Sequence, residues 1–220
     1  MKILCIAIIT SLLLVSCKKE NETMPFSEAG YIITITGKWS TPEFSVPGGA
    51  HFTTFVGMIH NSNAYLWKQG VNASPGTELL AETGNGTMML TEIDSMIAAR
   101  NASSLMLFIA LPLAGSQMTS IYCNTNYSYV SFASMLGPTP DWFTGITGFN
   151  LYQHSNWVTD TTVDLYVYDA GTEEGNIFGY NNPATIPQQN IQLLSASAGN
   201  VLANGNFTFA PIATVRFRRQ

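Results

Sequence analysis

Apolar residues recur at close to every second position along this chain, and turn-forming residues separate the runs. The runs are Tyr31, Ile33 and Ile35; Phe52 and Phe55; Leu105, Leu107 and Ile109; Tyr127 and Tyr129; Ile146, Phe149 and Leu151; Val163, Leu165 and Val167; Phe207 and Phe209; and Ile212, Val215 and Phe217. A two-residue period puts successive side chains on opposite faces, so each run describes a strand with one apolar face. Between them stand Pro47-Gly48-Gly49, Ser74-Pro75-Gly76, Gly84-Asn85-Gly86 and Asn181-Asn182-Pro183, combinations suited to tight or positive-φ turns. Many short strands at this spacing predict an all-β fold, an antiparallel β-sandwich of two packed sheets. Residues 87–101 break the period: Met89, Ile93, Met96 and Ile97 fall at helical intervals, and Thr91 with Asp94 makes a capping pattern. One short helix is predicted there, crossing an edge or end of the sandwich.

Two distant segments place carboxylates inside turn frames. In Pro138-Thr139-Pro140-Asp141-Trp142 the two prolines fix φ on both sides of Thr139, so the backbone that carries Asp141 is stiff before any ligand arrives. In the second, the strand through Val163, Leu165 and Val167 ends at Asp169, and Gly171 follows before Glu173 and Glu174. A glycine there permits a sharp turn, which returns Asp169 and Glu173 toward one point. Three carboxylates converging from Asp141, Asp169 and Glu173 suit calcium, a hard cation that takes about six to eight oxygen ligands from carboxylates, carbonyls and water.

The same residues carry a family resemblance. Pro138-Thr139-Pro140-Asp141-Trp142-Phe143-Thr144-Gly145, followed by Asp164-Leu165-Tyr166-Val167-Tyr168-Asp169-Ala170-Gly171-Thr172, is similar to the spondin N-terminal domain family. So, in the same order, are the blocks that begin at Tyr31, His51 and Leu66, and Thr185-Ile186-Pro187. The likeness runs from about Tyr31 to Arg219. It implies a C2-like β-sandwich with a calcium site whose ligands fall on Asp141, Asp169 and Glu173, and a role in adhesion or recognition. Glu173 is longer by a methylene than the aspartate usual there, which leaves bidentate binding, binding through water, and replacement by Glu174 all open. Where the resemblance would place a cysteine pair, the chain has Tyr152 and Asn156.

The amino terminus reads as a lipoprotein signal. Lys2 precedes an apolar run from Ile3 to Val15, which closes on Leu14-Val15-Ser16-Cys17; the run is short for a bilayer span, and a small residue precedes the cysteine. Residues 1–16 are therefore expected to be removed and Cys17 to be lipidated, anchoring the protein to a membrane. Residues 17–30 read as a polar tether and residues 31–220 as one domain. Lys18 after the cysteine, and the charged run to Glu22, resemble outer-membrane and surface-exposed lipoproteins, with a periplasmic spacer as the alternative.

Composition narrows the function classes. Loss of Lys2 leaves eight basic residues against fourteen acidic ones, and no basic patch invites nucleic acid. Cys5 leaves with the signal and Cys17 carries lipid, so Cys123 stands alone, without an internal disulfide and expected to be buried. His51, His60 and His154 lack short metal-ligand spacing; ordinary hydrogen-bonding roles are expected. Trp39, Trp67, Trp142 and Trp157 are expected in the core rather than on a sugar-stacking platform. Hydrolase, zincin, dinucleotide and phosphate-loop signatures are missing. The reading is a non-enzymatic calcium-binding module at the cell envelope, facing a protein or glycan ligand. The alternatives are an envelope hydrolase or carbohydrate-processing protein using the acids, or a structural subunit of an envelope complex.

Overall fold

In the computed structural model, residues 25–108, 111–194, 201–202 and 210–220 are described. The signal, Cys17, most of the tether and the predicted strand residues Ile109, Phe207 and Phe209 lie outside them. Thirteen strands and two helices follow in chain order among the described residues. They are β1 (Glu28–Lys38), β2 (His51–Phe52), β3 (Phe55–His60), α1 (Pro75–Thr83), α2 (Thr87–Ala98), β4 (Ala102–Phe108), β5 (Ala114–Asn124), β6 (Tyr129–Gly137) and β7 (Trp142–Asn150). Then come β8 (Tyr152–Gln153), β9 (Asn156–Trp157), β10 (Asp160–Leu165), β11 (Val167–Asp169), β12 (Gln192–Leu193) and β13 (Ala213–Arg219).

The pairings are antiparallel and build two main sheets. One has the order β10-β13-β1-β5; the other runs β12-β11-β7-β6-β3-β4, with β2 added on β6, and β8 with β9 makes a separate hairpin. Tyr31, Ile33 and Ile35 of β1 and Ala213, Val215 and Phe217 of β13 turn inward from the first sheet. Phe55, Ile59, Val130, Phe132, Leu136, Trp142 and Ile146 meet them from the second. Phe149 stacks on Phe217 across the gap, with ring centres 5.0 Å apart. Burying each such side chain contributes about 1.5–3 kcal/mol, so the inter-sheet layer is the main source of stability. The expected sandwich is present, and Trp39, Trp67, Trp142 and Trp157 are all buried in cores.

A second apolar layer accounts for the two helices. Val56, Met58, Ala133 and Phe143, on the outer face of the larger sheet, pack against Leu80, Ala81, Met89 and Ile93. The sequence led to one helix crossing an edge; instead two helices cover a sheet face. Ser74-Pro75-Gly76, read as a turn, is the start of α1: Ser74 caps the helix by accepting from Thr77 N–H, and Pro75 opens its first turn, where its missing N–H costs nothing. Helix α2 begins at Thr87, whose N–H donates to Asn85 Oδ1 (3.0 Å), rather than at Thr91. The N-terminal boundary also moves: Glu28, Ala29 and Gly30, assigned to the tether, pair with β5.

The predicted single strand through Val163, Leu165 and Val167 is two strands in different sheets. β10 pairs with β13, Val163 opposite Val215. After Tyr166, whose carbonyl accepts from Thr144 Oγ1 (2.8 Å), β11 pairs with β7 and sets Asp169 opposite Trp142. The sheet switch is what carries the second acidic segment to the first.

His60 and Cys123 take structural places. His60 Nδ1 stands 2.7 Å from the Asn61 carbonyl and Nε2 2.8 Å from Ser131 Oγ, which also accepts from Gly148 N–H (2.8 Å). The neutral ring, donating from Nδ1 and accepting at Nε2, satisfies every group, and burial holds its pKa below the ordinary 6.5. The unfolded chain then takes up the proton first, so His60's contribution is complete above about pH 6.5 and is lost as pH falls toward the folded value. The urea midpoint of wild type is expected to exceed that of His60→Gln by more at pH 7.5 than at pH 5.5; a gap independent of pH contradicts a buried neutral imidazole. Cys123 is buried in the inter-sheet core, and burial raises its thiol pKa to about 12, leaving it protonated and unreactive. Tyr152 and Asn156 sit in the β8–β9 hairpin, where Tyr152 faces Trp157 with ring centres 4.9 Å apart; aromatic packing holds this corner.

Candidate metal centre

The site is built where the turn before β7 meets the turn after β11. Thr139, buried between the two prolines, accepts from Trp142 N–H (3.3 Å) and donates to the Leu136 carbonyl, closing the loop that presents Asp141. The backbone of Asp141 accepts from Ala170 N–H (3.2 Å). Its Oδ2 accepts from Thr172 N–H (2.7 Å), Glu173 N–H (3.1 Å) and the Thr172 hydroxyl (3.3 Å). A carboxylate that gathers backbone N–H groups fixes the turn around itself. Asp141 is fully buried, and its second oxygen, Oδ1, has no hydrogen-bond partner.

Gly171 permits this wrapping. It has φ +74°, and a Cβ there would collide with the Gln189 carbonyl oxygen and stand 2.7 Å from its carbon, while Gly171 O accepts from Gln189 N–H (2.8 Å). Gly171→Ala is expected to cost about 2 kcal/mol or more, from the left-handed backbone and the collision together. Chemical denaturation measures it, and a loss below half a kcal/mol would contradict this geometry.

Asp169 accepts at Oδ1 from Gly171 N–H (2.8 Å). Burial, with the neighbouring charge of Asp141 second, raises its pKa to about 6; the Trp142 indole N–H opposes this weakly and is itself buried without a hydrogen-bond partner of good geometry. Glu173 Oε2 accepts from Asn182 Nδ2 (3.3 Å), and burial followed by the Asp141 charge raises Glu173 overall. Asp141 is raised by burial against the pull of its N–H donors. Phe178 meets Trp142 edge-on at 6.1 Å, tying the loop that carries Asn182 to the same place.

The three residues named from the sequence thus come into one neighbourhood, and a fourth acid joins them. Glu82, in the last turn of α1, lies close enough to feel their charge: burial, with Glu173, Glu78 and Asp141 behind it, raises its pKa. Reading Ser74-Pro75-Gly76 as a turn hid it; the helix-start chemistry of those residues is the signal that would have found it. Among the described residues no group of three or more His, Cys, Asp or Glu is placed to hold a metal ion as the side chains stand. The donor set still fits a hard cation. It is all oxygen, its acids resist ionisation in the absence of countercharge, and Asp141 Oδ1 is an orphaned buried acceptor. Asp141, Asp169 and Glu173 could hold the ion, and Glu82 lies within reach of their charge.

Residues 29–208 match the Spondin_N family model. The chain is 33% identical over 207 residues to Spondin-2 of Rattus norvegicus, a stretch covering 87% of this chain and 62% of the relative. Against Spondin-2 of Homo sapiens identity is 31%, over 87% of this chain and 61% of the relative. Against Spondin-1 of Gallus gallus it is 29%, over 76% and 22%. The chain therefore spans less than two-thirds of the length of these relatives. With the match covering both the sandwich and the acidic turns, the chain belongs to the Spondin_N family.

Proposed function

We propose that this protein is a calcium-binding β-sandwich, held at the cell envelope by a lipid on Cys17, that acts as a non-enzymatic adhesion or recognition module toward a protein or glycan. The observation that carries the metal reading is Asp141 Oδ1, a fully buried carboxylate oxygen without a partner, in a neighbourhood where Asp169, Glu173 and Glu82 are all pushed toward their neutral forms. Asp141, Asp169 and Glu173 would hold the calcium. When bound, it supplies the positive charge that these acids lack.

The chain's own residues supply the rest of the role. The N–H groups of Thr172 and Glu173 orient Asp141, Gly171 turns the chain back, and Asn182 steadies Glu173. A surface organised before its ligand arrives loses less ordering entropy on binding. Among the described residues no helix is long and apolar enough to cross a membrane, and attachment through Cys17 rests on the Leu14-Val15-Ser16-Cys17 frame. Titration calorimetry with calcium is expected to give one site with an affinity on the order of 10⁻⁴ to 10⁻³ M, the range of extracellular modules. Heat that is unchanged in Asp141→Asn would overturn the site. Protease shaving of intact cells tests surface display.

A further inference from the structure

Among the described residues, strand β5 is a sheet edge without the usual defences. It closes one side of the four-stranded sheet and pairs with β1 without a bulge, from Glu28 opposite Asn124 to Lys38 opposite Ala114. Its eleven residues, Ala-Gly-Ser-Gln-Met-Thr-Ser-Ile-Tyr-Cys-Asn, include neither charge nor proline. A strand edge offers a row of unpaired N–H and C=O groups, and proteins normally blunt such rows with charge, proline, bulges or short length. The other edges show those devices. β10 has six residues, with Asp160 bound to Arg216; β12 has two residues; and the pairing of β4 shifts register at its start. On β5, Met118 is 71% and Tyr122 76% exposed, residue types favoured at interfaces.

We propose that β5 pairs antiparallel with β5 of a second copy of this chain, joining two four-stranded sheets into one of eight strands. The strand is complementary to itself. In the register that overlaps its whole length, Tyr122 faces Ser116 of the second copy and Met118 faces Ser120, so each large side chain on the outer face meets a small one. Thr119 falls on the two-fold axis opposite Thr119 of the second copy, a favourable cross-strand pair. Lack of charge in β5 removes the like-charge repulsion that a symmetric pairing otherwise brings. One strand further out, the terminal rows carry Lys38 of one copy and Glu28 of the other, both exposed on the same outer face. Opposite signs thus end each row, about 14 Å apart, so this antiparallel sense brings no like-charge clash. A second copy fits these features better than an unrelated extended peptide, which would have no reason to set small residues opposite Met118 and Tyr122. The inference stands apart from the metal site, and it would present two copies of each recognition surface together.

The test is cysteine crosslinking of the full chain in the cells that make it, read by non-reducing electrophoresis after mild oxidation. Antiparallel partners have Cα atoms about 4.5–5.5 Å apart, within the span a disulfide bridges. Thr119→Cys is therefore expected to give a covalent dimer, whereas wild type and Ser116→Cys, which faces Tyr122 rather than itself, are expected to give none. Adding Met118→Lys and Tyr122→Lys to Thr119→Cys is expected to abolish the dimer. Both positions are solvent-exposed, and unchanged circular dichroism and melting confirm that the fold survives. The proposal is overturned if Thr119→Cys crosslinks no more than Ser116→Cys, if the dimer persists with both lysines, or if the product contains a different protein.

Discussion

Calcium is expected to raise the thermal midpoint of this protein, and Asp141→Asn and Asp169→Ala are each expected to abolish the rise. A site with an affinity on the order of 10⁻³ to 10⁻⁴ M, given about 10 mM calcium, stabilises the folded state by about 1.4–2.7 kcal/mol. For a domain of this size that is roughly 3–10 °C. The residues give a reason to expect a crossing in the data. Without metal the folded state holds Asp141 buried and Asp169 half-buried beside it, each raised above its ordinary pKa, so their ionisation at neutral pH costs stability. Asp141→Asn removes one of those charges and keeps an oxygen for the N–H groups of Thr172 and Glu173. In chelator the variant is therefore expected to melt at or above wild type, and in calcium below it. A structural defect would lower both melts, so differential scanning fluorimetry in the two buffers separates the readings. Equal wild-type melts in chelator and in calcium would remove the metal from the account.

What the sequence revealed depended on whether an element has one wet face. β1 and β13 alternate between buried and partly exposed positions, and their period is plain. β3 and β6 are buried on both faces, because helices cover one side and the smaller sheet the other, and a continuous apolar run does not disclose its register. Helix α1 was hidden because the same Ser-Pro-Gly residues serve a turn or a helix start, and only the residues packed behind them decide. The break at Tyr166 left no trace, since Leu165 and Val167 both face the inter-sheet core and the alternation passes through the switch undisturbed. The acidic turns were legible for the opposite reason. Proline before Asp141 stiffens the backbone and glycine after Asp169 frees it to turn, both locally, so their chemistry needs little tertiary context. Glu82 needs all of it, because a helix brings it to the site from a distant part of the chain.

Gly145→Ala and Gly57→Ala are expected to be the most damaging single-methyl additions in the sandwich, about 3 kcal/mol each, near the upper end of overpacking costs. Both glycines flank the middle of β6. Gly57 of β3 lies opposite Phe132, and Gly145 of β7 opposite Ala133. A Cβ at Gly145 would collide with the Phe132 carbonyl oxygen and stand 2.9 Å from the Cα of Ala133; one at Gly57 would collide with the Ser131 carbonyl and stand 2.5 Å from Phe132 Cβ. The crowding has a local origin. The β6–β7 register shifts between Val130 and Phe132, and a bulge bends a strand and brings backbones together. Because the atoms struck are mainly backbone, trimming a neighbouring side chain cannot relieve the collision; Phe132→Leu in either variant is expected to destabilise further. Gly48→Ala, where nothing lies within 4 Å, is the control and should stay within about 0.5 kcal/mol of wild type. Urea denaturation reads all of them. If Gly145→Ala matched the Gly48→Ala control, β6 and β7 could not be as close at Phe132 as this packing requires.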